Sequence, residues 1–298
     1  MTKNQKWLLG IVLAFLVLAA GTAFLALFIA SFGGKDFEFG GSFGERVGIV
    51  EVVGIIEDSR EVLQQLRAMG EDKSVKAVVL RVDSPGGAVA PSQEIYDGVR
   101  RLRLEDKKPV VVSMGSVAAS GGYFVSCAAD SVLASPGTLT GSIGVILEFP
   151  DLQEVLRKVG IGFEVIKSGP HKDIGSPFRQ LSDRERELLQ SMVDDVYGQF
   201  IEAICESRAL ERDSLLAIAD GRVFSGRQAQ DYGLVDRTGG LREAIDVAGR
   251  MSGLGENPKT VRARKKRLSV WDLLEETTAR VKNPAAGLSS PRLLYLWR

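Results

Sequence analysis

The sequence predicts an α/β domain with parallel βαβ connections, and three observations carry that expectation. From residue 46 onward, short apolar runs alternate with segments of helical periodicity. Turns rich in glycine and serine close the strands where helices are due to begin. The 298 residues, 45% of them hydrophobic, allow one α/β domain of about 200–250 residues plus extra segments.

The elements follow in order. Lys3 and Lys6 precede a run, residues 7–32, that holds no charged residue and is dominated by Leu, Val, Ala, Ile and Phe. About 20 apolar residues cross a bilayer as a helix, whereas the apolar core of a cleaved signal peptide is about 7–15 residues long. The length favours a retained transmembrane helix, with a cleaved signal as the alternative. Lys35, Asp36 and Glu38 follow without a positive excess. The positive-inside rule therefore puts residues 1–6 in the cytoplasm and everything after about residue 33 outside it. Residues 33–46, with Gly33, Gly34, Gly40, Gly41 and Gly44, read as a flexible linker.

A catalytic domain is expected over residues 47–255. Residues 47–53 and 77–82 read as strands, with a helix over 59–69 between them and another over 91–104. Residues 109–112 read as a strand, 113–116 as a small-residue turn and 118–128 as a helix. Further strands are expected at 132–134, 143–147 and 163–166. Ser182 and Glu185 form a capping-box signature for a long helix over 182–208. Leu189, Val193, Val196, Phe200 and Ile204 give that helix an apolar stripe, either core or an oligomer contact. A last helix is expected over 241–251.

Residues 256–298 form a tail of different character. Arg262, Arg264, Lys265, Lys266 and Arg267 cluster ahead of Trp271. This reads as a solvated face or as a contact with membrane lipid. Leu293, Leu294, Tyr295, Leu296 and Trp297 are apolar enough to need covering.

Composition excludes little but narrows the chemistry. The 38 basic and 38 acidic residues cancel, so no global field points to nucleic acid. Cys127 and Cys205 read as small core residues without metal-site spacing, and a single disulfide between them stays open. His171 is the one histidine.

Two turns carry a signature that composition does not explain. Ala119-Ser120-Gly121-Gly122 sets a hydroxyl between small residues on an exposed turn from strand to helix. Small neighbours let a carbonyl approach, and free N–H groups at a helix start favour an oxyanion. A serine that merely caps the helix fits the same four residues. The second turn is Asp83-Ser84-Pro85-Gly86-Gly87, where successive glycines let the backbone direct N–H groups at a peptide. The Walker pattern is absent, and no Gly-x-Ser-x-Gly elbow surrounds Ser120.

Taken together and in this order, residues 83–87, 115–123 (GSVAASGGY), 140–145 (TGSIGV), 167–177 (KSGPHKDIGSP) and 219–226 (ADGRVFSG) resemble the signal peptide peptidase A family. The likeness runs over about residues 47–250 and is to its short form, with one catalytic domain. The resemblance implies a crotonase-like, Clp-protease-like fold of stacked β-β-α units. It makes Ser120 the nucleophile, Lys172 the general base and Ser142 a hydrogen-bond partner of the lysine, with the N–H groups of Gly87 and Gly121 as oxyanion hole. It implies neither cofactor nor metal, and signal-peptide remnants or other small membrane peptides as substrates. In the long form the serine and the lysine come from different copies of the domain. One copy here implies a homo-oligomer in which a neighbouring protomer donates Lys172. Rival readings are a Clp-type Ser–His–Asp protease through His171, a crotonase-like acyl-CoA enzyme and a silent membrane scaffold.

Overall fold

The computed structural model describes residues 44–265 and 294–296, the backbone of 37–39, and positions 7, 18, 21 and 22. The chain divides into two compact units, Met1–Glu38 and Phe39–Arg298. In the first, Trp7, Leu18, Gly21 and Thr22 are helical. The expected span over 7–32 otherwise lies outside the described residues. Among those, no helix is long and apolar enough to cross a membrane. Strand β1 (Phe37–Phe39) straddles the boundary between the units.

In the second unit β-branched runs supply the strands. β2 (Arg46–Val53) leads to helix α1 (Arg60–Glu71), then β3 (Val75–Ser84), β4 (Gly86–Ala88) and α2 (Val89–Leu104). Next come β5 (Val110–Ala119), α3 (Gly121–Cys127), β6 (Ser131–Ala134), β7 (Leu139–Gly141) and α4 (Gln153–Lys158). Helices α5 (Asp183–Arg208) and α6 (Arg212–Leu216) precede β8 (Val223–Ser225), α7 (Gly226–Asp231) and β9 (Arg237–Thr238). The elements α8 (Leu241–Met251), β10 (Thr260–Lys265) and β11 (Leu294–Leu296) complete the order.

The sheet runs β10-β2-β3-β5-β6-β9, and every neighbouring pair along it is parallel. Near-continuous apolar strands such as 75–82 suit this arrangement, because both faces are covered. Val78, Leu80 and Val82 turn to one face, against α1, α2, α3 and α5. Ala77 and Val79 turn to the other, where Ala244, Val247 and Ala248 of α8 cover them. The far end of β5 also pairs in parallel with β7, which is antiparallel to β8. The sheet is thus mixed, and β5 joins its two parts.

Several expectations need correction. The turn expected at 113–116 is strand, because β5 continues to Ala119 and its pairing with β3 shifts register between Val82 and Ser84. Gly115 marks that irregularity: a Cβ there would meet the Asp83 side chain at 2.5 Å. Residues 143–147 form no strand beyond an isolated bridge at Ile146. Residues 163–166 form none either, and Phe163, Val165 and Ile166 are exposed without a neighbouring strand. The helices over 182–208 and 241–251 stand as expected, the first with its capping box formed. Val196, Phe200 and Ile204 of its stripe are core. Arg262, at the start of the basic cluster, lies in β10 and pairs with Glu51 at 3.4 Å; Lys266, Arg267 and Trp271 lie outside the described residues. Cys127 and Cys205 are free thiols, and burial pushes Cys127 up to about 11.

Candidate active site

The two glycine-bearing turns meet at the carboxyl ends of β3 and β5. Ser120 is the N-cap of α3, with φ 52° and ψ −116°. A side-chain-bearing residue holds such angles at a cost of about 1–3 kcal/mol, and strain of this kind gathers at functional sites. The neighbours enforce it. The Ser120 N–H donates to the Gly141 carbonyl at 2.8 Å, and its carbonyl accepts from the Phe124 N–H at 2.8 Å. The Ser120 hydroxyl makes no capping hydrogen bond to α3, which removes the reading of a mere helix cap. It is also less exposed than its turn suggests, at 1%.

Glycine lets α3 come close enough for the turns to meet. A Cβ on Gly122 would lie 2.7 Å from the Ser84 carbonyl oxygen. Gly86 has φ +101°, and a Cβ there would lie 2.7 Å from the Gly121 nitrogen. On its other side β4 is fastened to Ile56. The Ile56 N–H donates to the Gly86 carbonyl at 2.9 Å, and the Ala88 N–H donates to the Ile56 carbonyl at 2.7 Å. Strand alternation then turns the N–H and C=O of Gly87 away from Ile56.

Ser142 completes this side of the site. It is buried, at φ 49°, and its N–H donates to the Arg222 carbonyl at 2.8 Å. Ser120 and Ser142 line one cleft of about 580 Å³ together with residues 143–146, Tyr197, Asp220 and Leu296. The Arg222 guanidinium holds the Asp220 carboxyl down at about 2, so Asp220 stands at the cleft margin ionised and paired with Arg222.

Lys172 is not brought into this cleft. It is exposed, in a turn where its N–H donates to the Gly169 carbonyl at 3.2 Å. An ion cluster organises that turn. Arg179 reaches Asp173 at 2.8 Å and Glu185 at 2.6 Å, and Lys167 reaches Asp173 at 2.6 Å. Hydrogen bonds from Arg179, then from Lys167, hold the Asp173 carboxyl well below the usual range. Arg179, then the Ser182 N–H, hold Glu185 down at about 2. His171 belongs to the same cluster, its Nδ1 3.8 Å from Glu185, and does not line the cleft of Ser120. Around this cluster the apolar side chains Val155, Val159, Phe163 and Val165 are exposed, and Ile166 is 97% exposed.

Tyr295, Leu296 and Ile146 also belong to the site and were missed as site residues. The alternating Leu-Tyr-Leu run signals a strand in need of cover, but not which groove covers it.

A mixed α/β sheet with a strained serine in a peptide-sized cleft is the arrangement of a Clp-protease-like serine peptidase. The Clp protease pattern matches residues 46–138. That of peptidase family S49 matches residues 103–254, just over half of the chain. The chain belongs to peptidase family S49 and is a serine peptidase of the SppA type. A candidate protease of Synechocystis sp. is 42% identical over 212 residues, which cover 70% of this chain and 76% of that protein. A candidate signal peptide peptidase SppA of Enterococcus faecium is 34% identical, over 69% of this chain and 63% of its own length. The chloroplastic serine protease SPPA of Arabidopsis thaliana is 34% identical over 76% of this chain, which spans 34% of that longer protein.

Proposed function

We propose that the protein is a membrane-anchored endopeptidase acting on signal-peptide remnants or other small membrane peptides. Ser120 is its nucleophile, and Lys172 of a neighbouring protomer is its general base. The observation that carries this reading is the separation of the pair. Ser120 sits strained in a cleft that Lys172 does not line, while Lys172 is exposed on a segment that carries partly exposed apolar side chains. Docking that segment on a second copy would cover those side chains and bring in a lysine together.

The chemistry then runs in two balanced halves. Ser120 Oγ attacks the peptide carbonyl while the lysine takes its proton. The N–H groups of Gly87 and Gly121 hold the developing oxyanion. The C–N bond breaks as the lysine returns the proton to the leaving amine. Water, deprotonated by the same lysine, attacks the acyl carbon. The C–Oγ bond breaks as the lysine returns that proton to Ser120 Oγ, and the acid product loses its own proton to solvent as it leaves as a carboxylate. A lysine acts as base only when neutral, and desolvation at a subunit boundary disfavours its charged form. Ser142 positions the lysine Nζ through a hydrogen bond. The apolar run over 7–32 supplies the anchor, with the catalytic unit outside the cytoplasm and near lipid. Participation of His171 in the ion cluster weighs against a serine–histidine triad.

The test is complementation. Unfolded Ser120→Ala and Lys172→Ala chains, mixed and refolded together in detergent, are expected to recover part of the activity. A dead mixture beside recovered wild type would place both residues of each site in one subunit.

A further inference from the structure

Residues 219–226 carry part of the likeness to the family, yet the reaction proposed for Ser120 assigns them no part. They run beside the turn that bears Ser142. Strand β8 lies antiparallel to β7, with Thr140 opposite Phe224 and Gly141 opposite Val223. The Ser142 N–H donates to the Arg222 carbonyl at 2.8 Å, and the Gly141 carbonyl accepts the Ser120 N–H at 2.8 Å. Gly141 has φ +80°, and a Cβ there would lie 2.5 Å from the Phe224 ring. The position of residues 219–224 therefore sets where both serines sit.

That stretch is only partly fixed by its own contacts. Gly221 has φ +90°, and a Cβ there would meet no atom of the described residues within 4 Å. The Asp220 carboxylate accepts from the Arg222 N–H at 3.2 Å and from its guanidinium at 2.7 and 2.5 Å. Both side chains of this clasp are exposed. Such a clasp shapes the turn without tying it to the core.

Tyr197 of α5 supplies the tie. Its phenol donates to the Ala219 carbonyl at 2.7 Å. Val196 and Phe200 of the same helix are core, so α5 is a fixed base for that hydroxyl. Burial raises the phenol above its usual value, which keeps it a donor at working pH. Tyr197, Ala219 and Gly221 line the same cleft as Ser120 and Ser142.

We infer that Tyr197 is a positioning residue for the reaction: its hydroxyl holds the Ala219 carbonyl, so that the Arg222 carbonyl fixes Ser142 and, through Gly141, Ser120 in reacting geometry. The inference rests on the proposed role of Ser142 beside the lysine. The Tyr197 hydroxyl neither gives nor takes a proton in this role. It acts through the backbone of residues 219–222.

The experiment uses the detergent-solubilised full chain and an apolar peptide rich in leucine and alanine, blocked at both ends. Tyr197→Phe keeps the ring and removes only the hydroxyl. It should lower kcat by about ten-fold and leave KM within about two-fold. In a Ser142→Ala chain the same change should lower kcat by less than about two-fold, because the group it positions is gone. Hydrogen exchange reads the geometry without activity. In Tyr197→Phe, residues 139–145 should exchange about ten-fold faster, while residues 77–82 keep the wild-type rate.

A wild-type kcat, a raised KM at constant kcat, or an equal loss in both backgrounds overturns the inference. So does unchanged exchange at residues 139–145, or a general rise that includes 77–82. Where the Ser142→Ala chain is too slow to assay, the exchange result decides. The two failures are distinguishable. Ser142→Ala at the wild-type rate ends the role given to Ser142 and the inference with it. A slow Ser142→Ala beside a full-rate Tyr197→Phe ends the inference alone.

Discussion

Ser120 and Lys172 sit in regions built by opposite means. Around Ser120 the backbone itself is the device: a left-handed residue, two successive glycines and a close helix–strand approach are locked by main-chain hydrogen bonds. Around Lys172 the chain makes short turns, an ion cluster holds them, and apolar side chains face outward. One region is finished within a single chain. The other has the surface of a part meant to be covered. A peptidase divided in this way would keep its nucleophile idle until a second copy arrives, which makes assembly a condition of activity.

The largest test of that contrast removes each half. Ser120→Ala and Lys172→Ala should each lower peptide hydrolysis by more than about 1,000-fold, since residues acting as a unit are lost together. His171→Ala should keep activity within about three-fold, as befits an exposed side chain. A dead His171 variant beside an active Lys172 variant would reverse the roles. Gly122→Ala comes next. Its Cβ would strike the Ser84 carbonyl, and the resulting shift of α3 should cost about 100-fold in kcat while circular dichroism stays unchanged. Wild-type rates would show that the close approach is dispensable.

Smaller effects sharpen the other region. Arg179→Ala leaves Asp173 and Glu185 without their shared guanidinium. It should lower activity by about ten-fold and speed proteolysis within residues 160–182, with little change in the melting of the sheet. Acid tests the ion cluster directly. Asp173 and Glu185 have folded-state values below their unfolded ones, so their stabilisation is complete above about pH 4–5 and is lost only as pH falls toward 2. Proteolysis of the segment should therefore be constant from about pH 8 to pH 5 and rise only as pH falls toward 2. The smallest effect on the isolated chain is that of Ile166→Asp. At a 97% exposed position it should change stability by less than about 0.5 kcal/mol, yet sedimentation should show smaller assemblies.

The parallel sheet was legible because both of its faces are buried, which leaves a near-continuous apolar signature such as that of residues 75–82. The helix over 182–208 was legible from its capping box and stripe. Ser120, Ser142, Gly87 and Gly121 came from a resemblance, and the structure draws the turns carrying them together at one cleft. The failures share a cause. Residues 113–116 look like a turn because small residues mark bulges as well as turns, and register across two strands decides which. Residues 163–166 have strand composition but no strand to pair with among the described residues. Tyr295 was legible only as a residue in need of cover, because the groove that covers it is assembled from α3, α5 and β4, none of which is near it in sequence.

The φ of Ser120 has a consequence for how such an enzyme is maintained. Relief of about 1–3 kcal/mol of strain by Ser120→Gly outweighs the roughly 0.5–1 kcal/mol that glycine adds in chain entropy. The glycine variant should be inert and yet melt higher than its parent. Selection for abundance alone would therefore push this position away from serine. On the proposed role of Ser120, only the demand for turnover keeps serine there, and a rise in melting temperature on loss of the hydroxyl would measure that tension directly.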